Sequence, residues 1–186
     1  MRTHKLFLGG AWHESADVRD IQSPFDQTTV SRAHYATAAQ MEQALAASER
    51  AFHSYRHVSR WMRARLLAQM RSGIEARKEE FVKLIVEEAG KPVAAAEVEV
   101  ARAMNTFHIA SEEARGFMGE MIPMDIDPAG RDFEESAVVH WVPSGPVLGI
   151  TPFTFPLNLV VHKVAPALAA GVTILITPAP PAPGAA

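Results

Sequence analysis

Apolar side chains recur at helical spacing through the middle of the chain, which predicts four helices between residues 37 and 116. The first begins at Thr37, because Thr37-Ala-Ala-Gln40 has the spacing of a capping box, and the second begins near Ser59. The third covers Glu79 to Ala89, and the fourth has Pro92 in its first turn and ends near Gly116. The side chains expected on the buried faces are Met41, Leu45, Ser48, Phe52, Met62, Leu66, Met70, Ile74, Phe81, Leu84, Ile85, Val93, Ala96, Val100, Met104 and Phe107.

Extended patterns flank these helices on both sides. Lys5–Leu8 and Ala11–Trp12 are separated by two glycines, which predicts a small hairpin. After the helices, two extended runs surround a turn at Ala129-Gly130, which predicts a longer hairpin over Met121–Val142. Because its strand edges carry unpaired backbone groups, this second hairpin is expected to pair with another chain or segment.

The last part of the chain has the order strand, loop, helix, strand. Val147–Ile150 and Val172–Ile176 are short apolar runs, and Leu157–Ala170 has a helical apolar face that ends at Gly171. The loop Thr151–Pro156 has prolines at two positions, so it is neither helix interior nor central strand. This order predicts one βαβ unit of a parallel sheet, whose loop lies where parallel sheets bind ligands.

Composition and charge exclude several classes of function. The chain has 186 residues, a net charge of -3, a pI of about 6.2 and no cysteine. This length suits one ordinary domain, and the charge gives no reason to expect a nucleic-acid partner. The lack of cysteine excludes disulfides and fits a cytoplasmic protein. A set of arginines without interleaved aromatic residues is interpreted as a solvated helix face. These arginines are Arg60, Arg63, Arg65, Arg71 and Arg77.

No membrane or metal partner is expected. Residues 157–176 are mostly apolar and long enough for a membrane span, but polar residues, Pro166 and Gly171 interrupt them, so a helix followed by a strand is favoured. The N-terminal residues contain no apolar stretch long enough for a signal peptide. The eight histidines are scattered without the spacing of a metal site, and His162 is expected to pack within its helix.

Two further features have competing interpretations. Glu87, Glu97 and Glu99 are candidates for paired catalytic carboxylates, but their helical and alternately apolar neighbours favour surface positions. The tail from Pro178 to Ala186 has the composition of a proline-rich ligand motif.

Several phrases of the chain resemble one enzyme family, and the resemblance covers essentially all of the 186 residues. The phrase GITPFTFPLNLVVHKVAPALAAG, from Gly149 to Gly171, resembles the segment G-x-[IV]-[TS]-P-[FW]-N-[FY]-P-L of NAD(P)-dependent aldehyde dehydrogenases. LFLGGAWHES, SPFDQTTVSRAHYAT and the Glu87–Pro92 phrase EEAGKP resemble earlier family phrases. The tail resembles K-P-[AS]-x-x-[TA]-P, which in the family leads into a helix, so it is predicted to begin that helix.

The resemblance implies an α/β fold equal to the N-terminal part of such an enzyme, with helices, an oligomerisation hairpin and an incomplete Rossmann-like parallel sheet. Residues 1–120 would be the N-terminal hairpin and helices that support the nucleotide-binding domain. Residues 121–142 would be the oligomerisation hairpin, and residues 143–186 the truncated first βαβ of the nucleotide-binding domain. In the complete protein, the expected small-molecule partner is an aldehyde. The expected protein partner is either a second copy of this chain in a homo-oligomer or a full-length homologue.

The family oxidises an aldehyde to a carboxylic acid through a cysteine thiohemiacetal, with NAD or NADP as cofactor and a glutamate to activate water. The cysteine is absent here, and the glutamate would lie further along than this chain reaches. The resemblance places Thr154 where the family has the asparagine that holds the oxyanion. Loss of one such donor lowers turnover roughly 100- to 1,000-fold.

The resemblance also implies the residues that bind the cofactor. They are Ile150, Thr151, Pro152, Phe153, Thr154 and Thr177. Thr177 stands where the family has a lysine that contacts the adenosine ribose, and the loss of that charged hydrogen bond would cost about 1.5–3 kcal/mol of affinity. Weak or absent binding of NAD or NADP is therefore expected. The alternative hypothesis is a non-catalytic pseudoenzyme or interaction protein that associates through Met121–Val142.

The lack of a thiol generates a prediction about activity. We expect the purified 186-residue chain to show no aldehyde-dependent reduction of NAD or NADP, because no residue can form the thiohemiacetal. Absorbance at the nicotinamide band measures this reduction, with a complete aldehyde dehydrogenase as the positive control. A steady rise that requires both the aldehyde and this chain would contradict the prediction.

Overall fold

The computed structural model describes residues 1–124 and 136–186, and the turn predicted at Ala129-Gly130 lies outside them. The first half contains the strands β1 (Arg2–His4), β2 (Leu6–Leu8), β3 (Ala11–His13), β4 (Asp17–Gln22) and β5 (Thr29–Tyr35), then the helices α1 (Ala38–Tyr55) and α2 (Arg60–Ala76). The second half contains α3 (Lys78–Ala89), α4 (Val93–Gly116), β6 (Glu120–Pro123), β7 (Ser136–Val139), β8 (Val147–Ile150), α5 (Asn158–Ala170) and β9 (Ile174–Thr177).

The ends of the helices confirm the predictions made from local chemistry. The capping box at the start of α1 is present, since the amide of Gln40 donates to Thr37 and the Gln40 side chain accepts from the Thr37 amide. The Ser59 hydroxyl accepts from the amide of Met62 at the start of α2. Gly90 and Gly171 end α3 and α5 in the left-handed conformation, with φ of 65° and 87°. Glycine adopts this conformation without the strain that a Cβ would cause.

The main core lies between α2, α4 and α5, and its buried faces differ in part from the prediction. Leu45, Met62, Leu66 and Val93 are 36–56% exposed, so their predicted burial is wrong. Helix α2 instead buries a neighbouring stripe that begins with Ala64. The small side chain of Ala64 lets α4 approach closely, and Ser111 Oγ of α4 donates to the Ala64 carbonyl at 2.8 Å. The fully buried core includes Ala64, Leu67, Ile85, Ala96, Val100, Ala103, Ala114 and Ala165.

Three arrangements of strands precede the last segment. The predicted N-terminal hairpin is confirmed as β2 paired with β3, and Leu6 lies opposite His13. Strand β5 lies between β1, to which it is parallel, and β4, to which it is antiparallel. The strands of the second predicted hairpin are β6 and β7, which pair antiparallel with Glu120 opposite Val139.

One arginine of the basic set is half-buried. Arg60, Arg65, Arg71 and Arg77 are exposed, as a solvated helix face requires. Arg63 is half-buried, and its guanidinium donates to the carbonyls of Val58 and Ala169 at 2.9 and 3.0 Å. A cation at the carboxyl end of α5 is stabilised by the helix dipole, so the interpretation of Arg63 as solvated is wrong.

The tail after β9 forms turns instead of the predicted start of a helix. Ala182 donates to the carbonyl of Ala179, and Ala186 donates to that of Pro183. Four prolines between residues 178 and 183 remove amide donors and disfavour helical backbone at the preceding residues. The tail still packs on the body of the protein, since Ala179, Ala182 and Ala185 are at most 4% exposed.

The buried carboxylate of Glu88 joins this tail to the N-terminal sheet. Its Oε1 lies 2.8 Å from His4 Nε2 and accepts from Ser31 Oγ at 2.6 Å, and its Oε2 accepts from the Gly184 amide at 2.8 Å. Burial raises the pKa of Glu88, but these hydrogen bonds outweigh it, and the pKa lies below its ordinary value.

Replacing Glu88 with Gln should lower the free energy of unfolding by roughly 1–3 kcal/mol near neutral pH, because an amide cannot accept from all three donors. The folded-state pKa of Glu88 is depressed, so its stabilisation is complete above its unfolded pKa and is lost as the pH falls through the folded value. The difference in unfolding free energy between the wild type and Glu88→Gln, measured by urea unfolding, should therefore begin to shrink below about pH 4.5 and should vanish only below the folded-state pKa of Glu88. The exposed Glu97→Gln is the control and should show little difference at any pH, whereas a Glu88→Gln difference that persists at strongly acidic pH would contradict the prediction.

Candidate functional site

The predicted βαβ unit is confirmed. Strands β8 and β9 are parallel neighbours, with Val147 opposite Ile174 and Ile150 opposite Thr177, and α5 connects them. The two strands therefore end at the same edge of the sheet, where the loop Thr151–Pro156 begins. This edge is the carboxyl end of the strands, where open parallel sheets bind ligands.

The start of the loop is attached to the end of β9. Thr151 is buried, and both its amide and its hydroxyl donate to the carbonyl of Thr177, at 3.1 and 3.0 Å. The structure thus brings together two of the residues predicted to bind the cofactor. The side chain of Thr177 is exposed, so the position at which the family pattern has lysine is open to solvent.

The middle of the loop is exposed. Pro152 and Thr154 are exposed, and Phe153 is 42% exposed. Ile150, the last residue of β8, is 68% exposed. All six predicted cofactor-binding residues therefore lie at one edge of the sheet, and five of them are accessible. Their predicted binding roles, including that of Thr154 toward the oxyanion, stay predictions.

Two cations lie against the aromatic residue that follows Thr154. Lys91 Nζ is 3.8 Å from the centroid of the Phe155 ring, and the Arg102 guanidinium carbon is 5.3 Å from it. Both distances are within the range of a cation–π attraction. Lys91 precedes α4 and Arg102 lies on α4, so the N-terminal helices contribute directly to the surroundings of the loop.

Glu99 of α4 holds the end of the loop, and its predicted surface position is wrong. It is 0% exposed, and its Oε1 accepts from the amides of Leu157 and Asn158 at 2.9 and 3.2 Å. Its Oε2 forms an ion pair with Lys91 Nζ at 2.6 Å. The first amides of a helix have no partners within the helix, and the positive end of the helix dipole attracts an anion. The Glu99 carboxylate accepts hydrogen bonds from these amides and places its negative charge at the positive end of the α5 dipole.

A sequence signal for the burial of Glu99 existed. Ala96, Val100, Ala103 and Phe107 form the buried stripe of α4, and Glu99 lies between them at helical spacing. A charged residue within such a stripe is buried only when it is paired. Glu97 is exposed as expected, and Glu87 is half-buried and pairs with Arg2.

The Glu99 contacts determine how a dinucleotide could fit here. Dinucleotide folds often bind the phosphates at the first amides of the helix that follows the first strand. In this chain those amides already donate to a carboxylate, whose charge would repel a phosphate. The N-terminus of α5 therefore does not fit the pyrophosphate of NAD or NADP.

Asn158 is a buried residue beside the loop that the sequence interpretation did not select. It is 1% exposed, and neither its amide nitrogen nor its carbonyl oxygen has a hydrogen-bond partner among the described residues. An unsatisfied buried polar group costs roughly 1–3 kcal/mol.

Other predicted features of the site region can be placed. His162 is exposed, so its predicted packing role is wrong. Within residues 1–124 and 136–186, no group of three His, Cys, Asp or Glu side chains could hold a metal ion. In the same part of the chain, every helix is too short or too polar to cross a membrane.

Comparisons with known proteins agree with the resemblance. The model of the aldehyde dehydrogenase family matches residues 12–186. The chain is 37% identical over 161 residues to the sulfoacetaldehyde dehydrogenase of Neptuniibacter caesariensis, a match that covers 86% of this chain and 35% of that protein.

Solved structures show the same fold. The crystal structure of aldehyde dehydrogenase 21 from Physcomitrella patens in complex with the reaction product succinate matches with a TM-score of 0.93 and 29% identity, over 99% of this chain and 38% of that chain. A NAD-dependent benzaldehyde dehydrogenase from Corynebacterium glutamicum matches with a TM-score of 0.86 and 27% identity, over 96% of this chain and 38% of that chain. The chain spans 35–38% of the length of these three relatives.

Proposed function

Because this chain belongs to the aldehyde dehydrogenase family and corresponds to an N-terminal portion of a family protein, we propose that it serves NAD(P)-dependent oxidation of an aldehyde to a carboxylic acid. The observation that carries this proposal is the exposed loop Thr151–Pro156 at the carboxyl ends of β8 and β9. By the family resemblance, Thr154 in this loop and Thr177 at the end of β9 would stand at the positions of the family's oxyanion donor and ribose contact.

The residues of this chain would contribute positioning and hydrogen bonds to that reaction. When bound, NAD(P) supplies the hydride acceptor. The exposed edge formed by Ile150–Thr154 and Thr177 would hold its nucleoside part, and the Thr154 hydroxyl would donate to the developing oxyanion. The threonine side chain is shorter than asparagine, so this donor would be weaker. The thiol that forms the covalent intermediate cannot come from these 186 residues, which contain no cysteine.

The surroundings of Phe155 favour a small aldehyde that carries a negative charge. The charge of Lys91 is compensated by Glu99, but the exposed Arg102 has no carboxylate within ion-pair distance among the described residues. Its guanidinium lies 5.3 Å from the ring of Phe155, the neighbour of Thr154. One relative is named for such an aldehyde, sulfoacetaldehyde, and the structure of another contains the anionic reaction product succinate. Arg102 would pair with the sulfonate or carboxylate of the aldehyde.

Exposed apolar strands support a second role, which is association with another copy or with a complete homologue. Val147, Leu148 and Ile150 of β8 are 41–68% exposed, and Trp141 and Val142, which follow β7, are 65% and 72% exposed. Apolar patches of this kind beside open strand edges mark association surfaces. We propose that residues 121–142 and the exposed face of β8 form this surface, while residues 1–120 support the nucleotide-binding segment 143–186.

The cofactor proposal is tested by restoring the missing charge. Replacing Thr177 with Lys should tighten binding of NAD or NADP about tenfold or more, because a charged hydrogen bond is worth about 1.5–3 kcal/mol. Calorimetric titration of the wild type should give a dissociation constant above the low micromolar range. Thr29→Lys adds the same charge at an exposed strand position far from the loop, and it should not change the affinity. Equal effects of the two substitutions would contradict the proposed site.

The association proposal is tested by sedimentation at micromolar concentration. The wild type should sediment as a self-associated species, and Leu148→Lys should weaken this association by placing a charge on the exposed apolar part of β8 outside the predicted cofactor-binding residues. Ile109→Lys is the matched control, because Ile109 is 50% exposed on α4 and lies outside the proposed surface. A wild type that is a single monomer with a sharp cooperative thermal transition would refute the proposal.

A further inference from the structure

We propose that Lys91 and Glu99 act together as positioning residues that fix the shape of the loop Thr151–Pro156. The inference deepens the proposed aldehyde-oxidation function, because this loop carries Thr154. Lys91 and Glu99 would not touch the aldehyde or the cofactor. They would act through Phe155 and through the first amides of α5.

The loop is attached at both ends but not in its middle. Thr151 is bound to the carbonyl of Thr177 at one end. At the other end, the amide of Leu157 donates to Glu99, and the backbone carbonyl of Phe155 accepts from the Leu159 amide at 3.0 Å, which leaves the Phe155 ring to be held by other contacts. Pro152, Phe153 and Thr154 are exposed between these two points. The position of Thr154 therefore depends on the residue that follows it, which is Phe155.

Lys91 connects Phe155 to the fixed end of the loop. Its ammonium group lies 2.6 Å from Glu99 Oε2 and 3.8 Å from the Phe155 ring centroid, so one cation is shared by the carboxylate and the ring. The Lys91 side chain is 19% exposed and that of Glu99 is 0% exposed, so water competes little for either contact. Movement of Phe155 would separate the ring from a cation that Glu99 holds in place.

Arg102 is less suited to this role. It lies on the same ring at 5.3 Å, and its side chain is exposed, so solvent screens its attraction to Phe155. Among the described cations, Lys91 is therefore the one that couples Phe155 to the start of α5.

Hydrogen exchange measured by mass spectrometry tests the proposal, because it reports the order of the loop without substrate or cofactor. Replacing Lys91 with Met removes the charge and keeps an unbranched side chain. Exchange in peptides covering residues 151–158 should become at least about three- to tenfold faster, because the substitution removes the cation–π contact with Phe155 and the ion pair with Glu99, while exchange in α2 and in the N-terminal sheet stays unchanged. Lys91→Arg keeps both charged contacts and should restore most of the protection.

Glu88→Gln is the matched control, because Glu88 is an equally buried carboxylate whose partners lie on the N-terminal sheet and tail. It should leave exchange of residues 151–158 unchanged. Glu99→Gln should accelerate exchange of the loop at least as much as Lys91→Met, and if it fails to fold, Lys91→Met and its Arg rescue still decide. Unchanged loop exchange in Lys91→Met, or equal acceleration throughout the chain, would overturn the proposal. Because no aldehyde or cofactor is added, failure of the proposed function would not affect the outcome.

Discussion

The buried carboxylate of Glu99 is the interaction on which the site depends. A charge that is removed from water costs several kcal/mol unless donors replace the water. Glu99 has three such donors, which are the amides of Leu157 and Asn158 and the ammonium group of Lys91. An apolar residue at this position would leave two amides and a lysine without partners. The contact therefore fixes where α5 begins relative to α4. Apolar packing between two helices is less directional than these hydrogen bonds and does not fix this position as closely.

Glu88 has a comparable role at the other side of the helices. It lies on α3 and receives hydrogen bonds from Ser31 of β5 and from the tail residue Gly184, with His4 of β1 at 2.8 Å. Glu88 joins the N-terminal sheet and the tail to the helices, and Glu99 joins the βαβ unit to them. In both cases one carboxylate connects segments that are far apart in sequence, and directional hydrogen bonds determine how the segments are arranged.

The sequence predicted the features that depend on local chemistry. The helix ends at Thr37, Ser59, Gly90 and Gly171 follow from caps and glycines, which act within a few residues. The buried faces of α1 and α2 were predicted less well, because helical periodicity does not decide which of two neighbouring stripes meets another helix. Strand β1 has three residues and pairs with β5, almost thirty residues later, so no local pattern indicated it.

The candidate site was also predicted only in part, because some of its contacts are local in sequence and others join distant segments. The order of strand, loop, helix and strand indicated where the loop lies, and the structure places Thr151 and Thr177 in contact there. Glu99 was assigned to the surface because its neighbours are helical and alternately apolar, although its helical spacing with Ala96 and Val100 indicated burial. The need for this charge becomes visible only when the start of α5 is placed against α4.

The distribution of burial in the βαβ unit shows which part of the chain shapes the loop. Helix α5 is packed into the main core, whereas three of the four residues of β8 are exposed. The sheet alone therefore holds the loop only through the Thr151 contacts at its start. At the other end, the Phe155 carbonyl accepts from the Leu159 amide of α5, and the side-chain contacts come from Lys91, Glu99 and Arg102, which all precede the βαβ unit in sequence. Helix α4 and the segment before it are thus a structural part of the candidate site, because they supply the charges that contact Phe155 and the start of α5.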